Sequence, residues 1–242
     1  MKNLAQTKVG AIVASNFRAS RVLTAHHIDF CCGGGITLEE ACRNKKQDLN
    51  IVLQELEETF KTKDDFNFQE LEVDQLIDTI VNVHHSYVRV TIPALRAYLE
   101  KLCRVHGDRH SELFEINELF IAGSAALLSH MEKEEQVLFP YIKAMVESQT
   151  KGFPLSKPHF GDIENPIQVM EQEHEDEGER FHQIAELTNQ YECPPDGCQT
   201  YKVAYAMLQE FEEDLHKHIH LENNILFPAA RELYKEISFS HS

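Results

Sequence analysis

The chain has 242 residues, enough for one sizeable domain and a second small one, and carries 40 acidic against 23 basic side chains, a formal net charge of −17. Such an acidic surface should repel phosphate groups, which disfavours nucleic acid and anionic membranes as partners. No apolar run reaches the roughly 18 residues of a bilayer span and the N-terminal segment is too weakly apolar for a secretory signal, so we expect a cytoplasmic protein.

The first part of the chain, residues 1–62, is predicted to form a small helical domain. Helices are predicted near residues 8–16, 17–25 and 48–58. Another helix should begin after Thr37, whose side chain can cap it, with Glu40 completing a capping box. The polar segment "KTKDD" at 61–65 is a candidate linker to the second domain.

The vicinal cysteines Cys31 and Cys32 precede three glycines and the helix predicted after Thr37. A thiol near a helix N-terminus has a lowered pKa and is more reactive, so one interpretation is a functional pair. The other interpretation is two small buried apolar residues. With no export signal, all six cysteines are expected to be free, and four are interpreted as structural or incidental: Cys42, Cys103, Cys193 and Cys198.

The second part of the chain, residues 69–238, consists of long amphipathic patterns separated by polar segments rich in Gly and Pro. No segment shows the alternation of a strand. The sequence therefore predicts an all-α fold with an antiparallel four-helix bundle, whose helices span about 70–104, 110–148, 164–190 and 199–236.

An eleven-residue pattern occurs on both the second and the fourth of these helices. "HMEKEEQVLFP" begins at His130, and "HIHLENNILFP" begins at His218. Each has a glutamate four residues later, Glu134 and Glu222, so each His–Glu pair lies on one helix face among apolar residues. A single pair would usually be a surface ion pair. Two pairs in register favour a metal site of iron, manganese or zinc, with glutamates that can bridge two ions.

Further ligands should come from the first and third helices. On the third, His174 continues the apolar stripe and is favoured, whereas His182 is expected to be exposed. On the first, both His84 and His85 fit an apolar stripe, and periodicity leaves the choice open. His220 does not share the face of the repeated pair, and we expect it to be solvated.

The motifs "HIDFCCGGGITLEEAC", "HHSYVRVTIP", "RVHGDRH", "EQEHEDEGERF" and the two repeats resemble the di-iron RIC family of iron–sulfur cluster repair proteins, also called ScdA/YtfE-type, over nearly the whole chain. The resemblance implies a hemerythrin-like bundle with a non-haem di-iron centre after an N-terminal cysteine domain. It also places the first ligand eight residues before a proline, at His85 rather than His84. The implied ligands are His85, His130, Glu134, His174, His218 and Glu222, with the glutamates bridging two iron ions.

One position departs from the oxygen-carrying hemerythrins. Those proteins have a second histidine four residues after the one on the third helix, and here that position is Gly178. A missing ligand leaves iron more open or more loosely held, which suits iron donation or the binding of a small gas.

The resemblance implies a stress-response protein that repairs iron–sulfur clusters damaged by oxidative or nitrosative stress, by donating iron to iron–sulfur proteins as clients. One alternative is enzymatic, the reduction of nitric oxide to nitrous oxide at the di-iron centre with Cys31 and Cys32 in a redox or nitric-oxide role. Another is sensing of O2 or NO, although no output domain is apparent. Apolar residues in 1–60 could also serve a homodimer.

Overall fold

The computed structural model describes residues 4–61 and 68–240, and their regular secondary structure is helical. Over these residues the structure contains no β-strand, only one isolated antiparallel bridge between Lys8 and Thr37. The all-α prediction is therefore confirmed. Apart from Lys61, the predicted linker lies outside the described residues. Among those that are described, no helix is long and apolar enough to cross a membrane.

The chain divides into two compact units. Unit 1 comprises Met1–Ile77, Met145–Leu155 and Lys217–Ser242, and unit 2 comprises Asp78–Ala144 and Ser156–His216. The division into domains 1–62 and 69–238, made from the sequence, stays a prediction.

Unit 1 contains the four short N-terminal helices, and polar side chains mark where two of them begin. The Thr37 hydroxyl accepts a hydrogen bond from the Glu40 N–H at 3.3 Å, as the sequence predicts. Asp48 accepts from the Asn50 N–H at 2.9 Å in the same way. The helices are α1 (Val9–Ser15), α2 (Ala19–Ala25), α3 (Leu38–Lys45) and α4 (Leu49–Phe60).

The remaining helices follow the four long amphipathic patterns. Three of the four are interrupted by one π-helical turn each: Ile80–His85, Glu134–Leu138 and Glu222–Leu226. The α-helical segments are α5 (Val73–Thr79), α6 (Ser86–His106), α7 (Glu112–Lys133), α8 (Phe139–Lys151), α9 (Glu164–Leu187), α10 (Gln199–Leu221) and α11 (Phe227–Ser240).

An aromatic cluster joins the four helices of unit 2. Phe211 on α10 has its ring centroid 5.6 Å from Phe120 on α7, 5.4 Å from Phe181 on α9 and 6.2 Å from Tyr87 on α6. The three phenylalanines are buried. Their edge and stacked contacts are those that aromatic rings favour in protein cores, so one residue from each helix contributes to the centre of the predicted bundle.

Two of the π-helical turns end two residues before the proline of the repeated Leu-Phe-Pro ending. A proline inside a helix has no N–H to donate, and its ring clashes with the carbonyl four residues earlier. For Pro140 and Pro228 those carbonyls belong to Gln136 and Asn224, and both lie inside the π turns. The third π turn, Ile80–His85, is not followed by proline at this distance.

Candidate metal centre

His85 is fully buried at the end of the first π turn, and both of its ring nitrogens face carboxylates. Its Nε2 lies 3.5 Å from Glu134 Oε2, and its Nδ1 lies 2.6 Å from Glu135 Oε1. Glu135 also accepts a 2.8 Å hydrogen bond from Arg89. Burial raises the pKa of Glu135, but the hydrogen bonds from His85 and Arg89 outweigh it and leave the pKa below its ordinary value. Glu135 is therefore charged at neutral pH and holds the proton of His85 on Nδ1.

His130 is oriented in the same way on α7. Its Nε2 lies 3.3 Å from Glu134 Oε2, and its Nδ1 donates to Glu173 at 2.9 Å. Glu173 also pairs with Lys133. The hydrogen bond from His130, with the Lys133 ion pair, lowers the pKa of Glu173 to about 2 against the opposing effect of burial. A carboxylate can only accept a hydrogen bond, so His130 carries its proton on Nδ1. The lone pair of its Nε2 therefore points away from Glu173.

His174 on α9 completes a histidine–glutamate cluster within unit 2. Its Nε2 lies 3.0 Å from the Nε2 of His130, and the two ring centroids are 4.6 Å apart. Because His130 presents a lone pair on this nitrogen, the pair of rings offers nitrogen donors to the same small space. Such an arrangement suits a bound cation, which imidazole nitrogens coordinate through their lone pairs.

The second copy of the repeated pattern places its pair in the same relation. His218 Nε2 lies 3.0 Å from Glu222 Oε1, and both side chains are fully buried. Glu222 begins the π turn Glu222–Leu226, as Glu134 begins Glu134–Leu138. The equivalence of the two sequence copies therefore extends to burial and local helix geometry.

Buried histidine and glutamate side chains of unit 2 could hold a metal ion. One ligand atom from each of His130, Glu134 and His174 lies within 4.8 Å of the others. Imidazole nitrogen and carboxylate oxygen together form a donor set that iron accepts, and the buried carboxylates would be costly without a compensating cation. His85 faces the same carboxylate, Glu134, and within unit 1 the buried His218 and Glu222 form a corresponding pair.

The structure distinguishes between the two adjacent histidines that periodicity left open. His85 directs its Nε2 toward Glu134, whereas the equally buried His84 directs its Nδ1 to Asp214 Oδ1 at 2.8 Å. His182 is exposed beside Glu186, as expected. All six predicted ligands are buried, four in unit 2 and two, His218 and Glu222, in unit 1. Their binding of a metal stays a prediction.

Three residues near the site were missed or misjudged from the sequence. Glu135 and Glu173 orient histidines on other helices, and the only sequence signal for them is that each stands beside a predicted ligand. The prediction of a solvated His220 is wrong. Its ring is buried between Phe17 and Phe30, and this burial lowers its pKa to about 4.

The vicinal cysteines lie in a turn organised by Asp29. One oxygen of its carboxylate accepts from the N–H groups of Cys31 and Cys32 at 2.8 and 3.1 Å, and the other accepts from Gly33 at 2.8 Å. Cys31 is buried, and its pKa is raised by the hydrogen bond with Cys32, by burial and by the charge of Asp29. The expected lowering by a helix N-terminus is therefore not observed at Cys31. A redox role for the pair stays a prediction.

Asn224, two residues after Glu222, holds this turn against the C-terminal helical segment. Its side-chain nitrogen lies 3.3 and 3.2 Å from the carbonyl oxygens of Phe30 and Cys31. A Cβ atom added to Gly10 would lie 2.1 Å from Asn224 Oδ1, and one added to Gly34 would lie 2.8 Å from it. The two glycines thus leave the space that the Asn224 amide occupies.

Helical architecture and buried histidine–glutamate groups define a cation-binding protein of the hemerythrin type. The profile of the hemerythrin HHE cation binding domain matches residues 76–230, and that of a domain of unknown function named ScdA_N matches residues 5–59.

The chain is also similar to relatives named iron–sulfur cluster repair protein YtfE. The relative from Enterobacter sp. (strain 638) is 36% identical over 222 residues, which cover 92% of this chain and 95% of that protein. Those from Escherichia coli O81 (strain ED1a) and Escherichia coli O1:K1 / APEC are 35% identical with the same coverage. The chain therefore belongs to the ScdA/YtfE-type family that its motifs resemble.

Proposed function

We propose that this chain supports the repair of damaged iron–sulfur clusters by holding two iron ions and passing iron to iron–sulfur proteins of the cytoplasm. The observation that carries this proposal is the burial of two matched histidine–glutamate pairs, His130 with Glu134 in unit 2 and His218 with Glu222 in unit 1. The names of the relatives, which match over 92% of the chain, support the same function.

Each of these buried side chains has a role in this proposal. The two glutamates would bridge the two ions, as in other carboxylate-bridged centres of helical bundles. Glu135 and Glu173 hold protons on the Nδ1 atoms of two histidines, which leaves the Nε2 lone pairs available. The residues that would hold iron are His85, His130, Glu134, His174, His218 and Glu222.

The donor set supports donation rather than permanent retention. Gly178 stands one turn after His174 and brings no side chain to the third helix where a further histidine could coordinate. A smaller set of protein ligands should hold the cation less firmly. Bound iron would supply the ion that an incomplete cluster lacks.

Two measurements test the proposal. Reconstitution under anaerobic conditions should give two iron ions per chain, quantified by metal analysis and by the near-ultraviolet absorption spectrum. The loaded protein should then restore activity to a cluster protein that has lost iron, whereas the Glu134→Leu, Glu222→Leu double variant should not. A control with two exposed glutamates changed, Glu115→Leu and Glu118→Leu, should retain both properties.

The results of these two measurements test the metal site and the proposed function separately. If the double variant still delivers iron, donation from this centre is wrong. If zinc binds and iron does not, the proposed donation of iron is wrong while the metal site stands.

A further inference from the structure

A second group of reactive side chains surrounds Cys198 in unit 2, and it is independent of the proposed iron site. Cys198 is exposed, and its Sγ lies 3.3 Å from Nε2 of His106, which is only 5% exposed. The sequence interpretation of Cys198 as structural or incidental does not account for this partner. A buried imidazole directed at an exposed sulfur is the arrangement that activates nucleophilic thiols.

Arg109 determines which nitrogen of His106 carries the proton. Its guanidinium lies 3.5 Å from His106 Nδ1 and pairs with Asp196 at 3.1 Å. A guanidinium can only donate, so Nδ1 accepts and the neutral ring carries its proton on Nε2. That proton points to the Cys198 sulfur, and the hydrogen bond favours the thiolate.

The helix that follows Cys198 also favours the thiolate form of this residue. Cys198 is the residue immediately before the 23-residue helix α10, and its carbonyl accepts from the Lys202 N–H at 3.2 Å. The N-terminal N–H groups and dipole of a helix stabilise a thiolate. The hydrogen bond from His106, followed by those from the N–H groups of Tyr201 and Thr200, lowers the pKa of Cys198 to about 7.

A second cysteine lies on the other side of a tight turn. Gly197 N–H donates to the Pro194 carbonyl at 2.8 Å, which closes a β-turn between Cys193 and Cys198. A Cβ added to Gly197 would lie 2.4 Å from the Cys193 sulfur, so this sulfur packs against the residue next to Cys198. The Cα atoms of Pro194 and Gly197, the first and last residues of this turn, lie within about 7 Å of each other, so the chain on either side, with Cys193 and Cys198, is brought together.

We propose that Cys198 and Cys193 form a thiol–disulfide exchange site that reacts with low-molecular-weight disulfides. The Cys198 thiolate attacks one sulfur of the small disulfide, forms a mixed disulfide and releases one thiolate. Cys193 then attacks Cys198 Sγ, forms the Cys193–Cys198 bond, releases the second small thiol and gives its proton to the medium or to a released thiolate. Two protein thiols are oxidised and one small disulfide is reduced to two thiols.

The first test measures the reactivity of each cysteine in the full-length, iron-loaded protein. Brief alkylation with iodoacetamide, followed by peptide mass spectrometry, should modify Cys198 about tenfold or more faster than Cys103 at pH 7. The pH profile of the Cys198 rate should have its midpoint near 7. His106→Gln should move that midpoint upward, and so should Arg109→Gln, whose surface side chain can be changed without opening the core.

The second test follows the disulfide. Oxidised glutathione should yield a Cys193–Cys198 bond in the wild type and in Cys103→Ser, a control in the same unit. Cys193→Ser should stop at a mixed disulfide on Cys198, and Cys198→Ser should leave Cys193 reduced. The proposal is overturned if Cys198 alkylates no faster than Cys103, or if glutathione remains on wild-type Cys198 without transfer to Cys193.

Discussion

Single acidic residues determine how the buried histidines face their partners. Glu135 lies fifty positions after His85 in the chain, yet the two side chains are 2.6 Å apart. Glu173, which stands beside His174, orients His130 instead. Each of these carboxylates is held in turn by a cation, Arg89 or Lys133. Such outer partners fix the tautomer and direction of a ligand, so they should contribute to metal affinity without binding metal themselves.

Replacing Glu135 by glutamine should weaken iron binding although all six proposed ligands remain. The amide keeps the size of the side chain but lacks the negative charge that makes His85 a better donor. We expect affinity about 10 to 100-fold lower, measured by competition with a coloured chelator. Glu132→Gln, an exposed change on the same helix, is the control. Equal affinities for the two variants would contradict this role of Glu135.

Replacing Asn224 by alanine should make the vicinal cysteines more reactive. The amide nitrogen would no longer bond the carbonyls of Phe30 and Cys31, so the turn should open and expose the buried Cys31 thiol. We expect faster alkylation of Cys31 than in the wild type, resolved by peptide mass spectrometry. Asn50→Ala, on the exposed side of α4, should leave the rate unchanged. An unchanged Cys31 rate in the Asn224 variant would show that other contacts hold the turn.

At the scale of the helices, hydrophobic periodicity and caps predict the elements well, because both act between residues close in sequence. Thr37 caps α3 as predicted, and the helix beginning at Gln199 starts where the pattern places it. Contacts between distant residues leave no such signal. The pairing of Glu135 with His85 and the burial of His220 beside Phe17 depend on packing, so periodicity could not reveal them.

The aromatic cluster of unit 2 contributes to helix packing through Phe211. Phe211 contacts a ring on each of the three neighbouring helices, so Phe211→Ala should leave a cavity rather than a collapsed site. We expect the free energy of unfolding to fall by about 3–5 kcal/mol, measured by urea denaturation of the iron-free protein. Phe114→Ala, at a side chain that is half exposed, should cost far less. Similar losses for both would contradict a specific role for the cluster.

For the whole molecule, the buried carboxylates oppose folding until a cation compensates them. Glu134 and Glu222 are both fully buried, and a buried charge is costly unless it is paired. A metal ion that binds only the folded chain adds to its stability by mass action. Glu134 and Glu222 should therefore lower the free energy of unfolding in the absence of iron and raise it in the presence of iron.

The Glu134→Leu, Glu222→Leu double variant separates these effects. Without iron, it should be at least as stable as the wild type, because leucine replaces buried carboxylates by apolar groups of similar size. With free iron at a hundredfold excess over the dissociation constant, the wild type should gain about 2.7 kcal/mol for each bound ion, and the variant should gain nothing. Denaturant unfolding with and without iron measures all four values. If iron stabilised both proteins equally, the two glutamates would not belong to the metal site, and their burial would need another explanation.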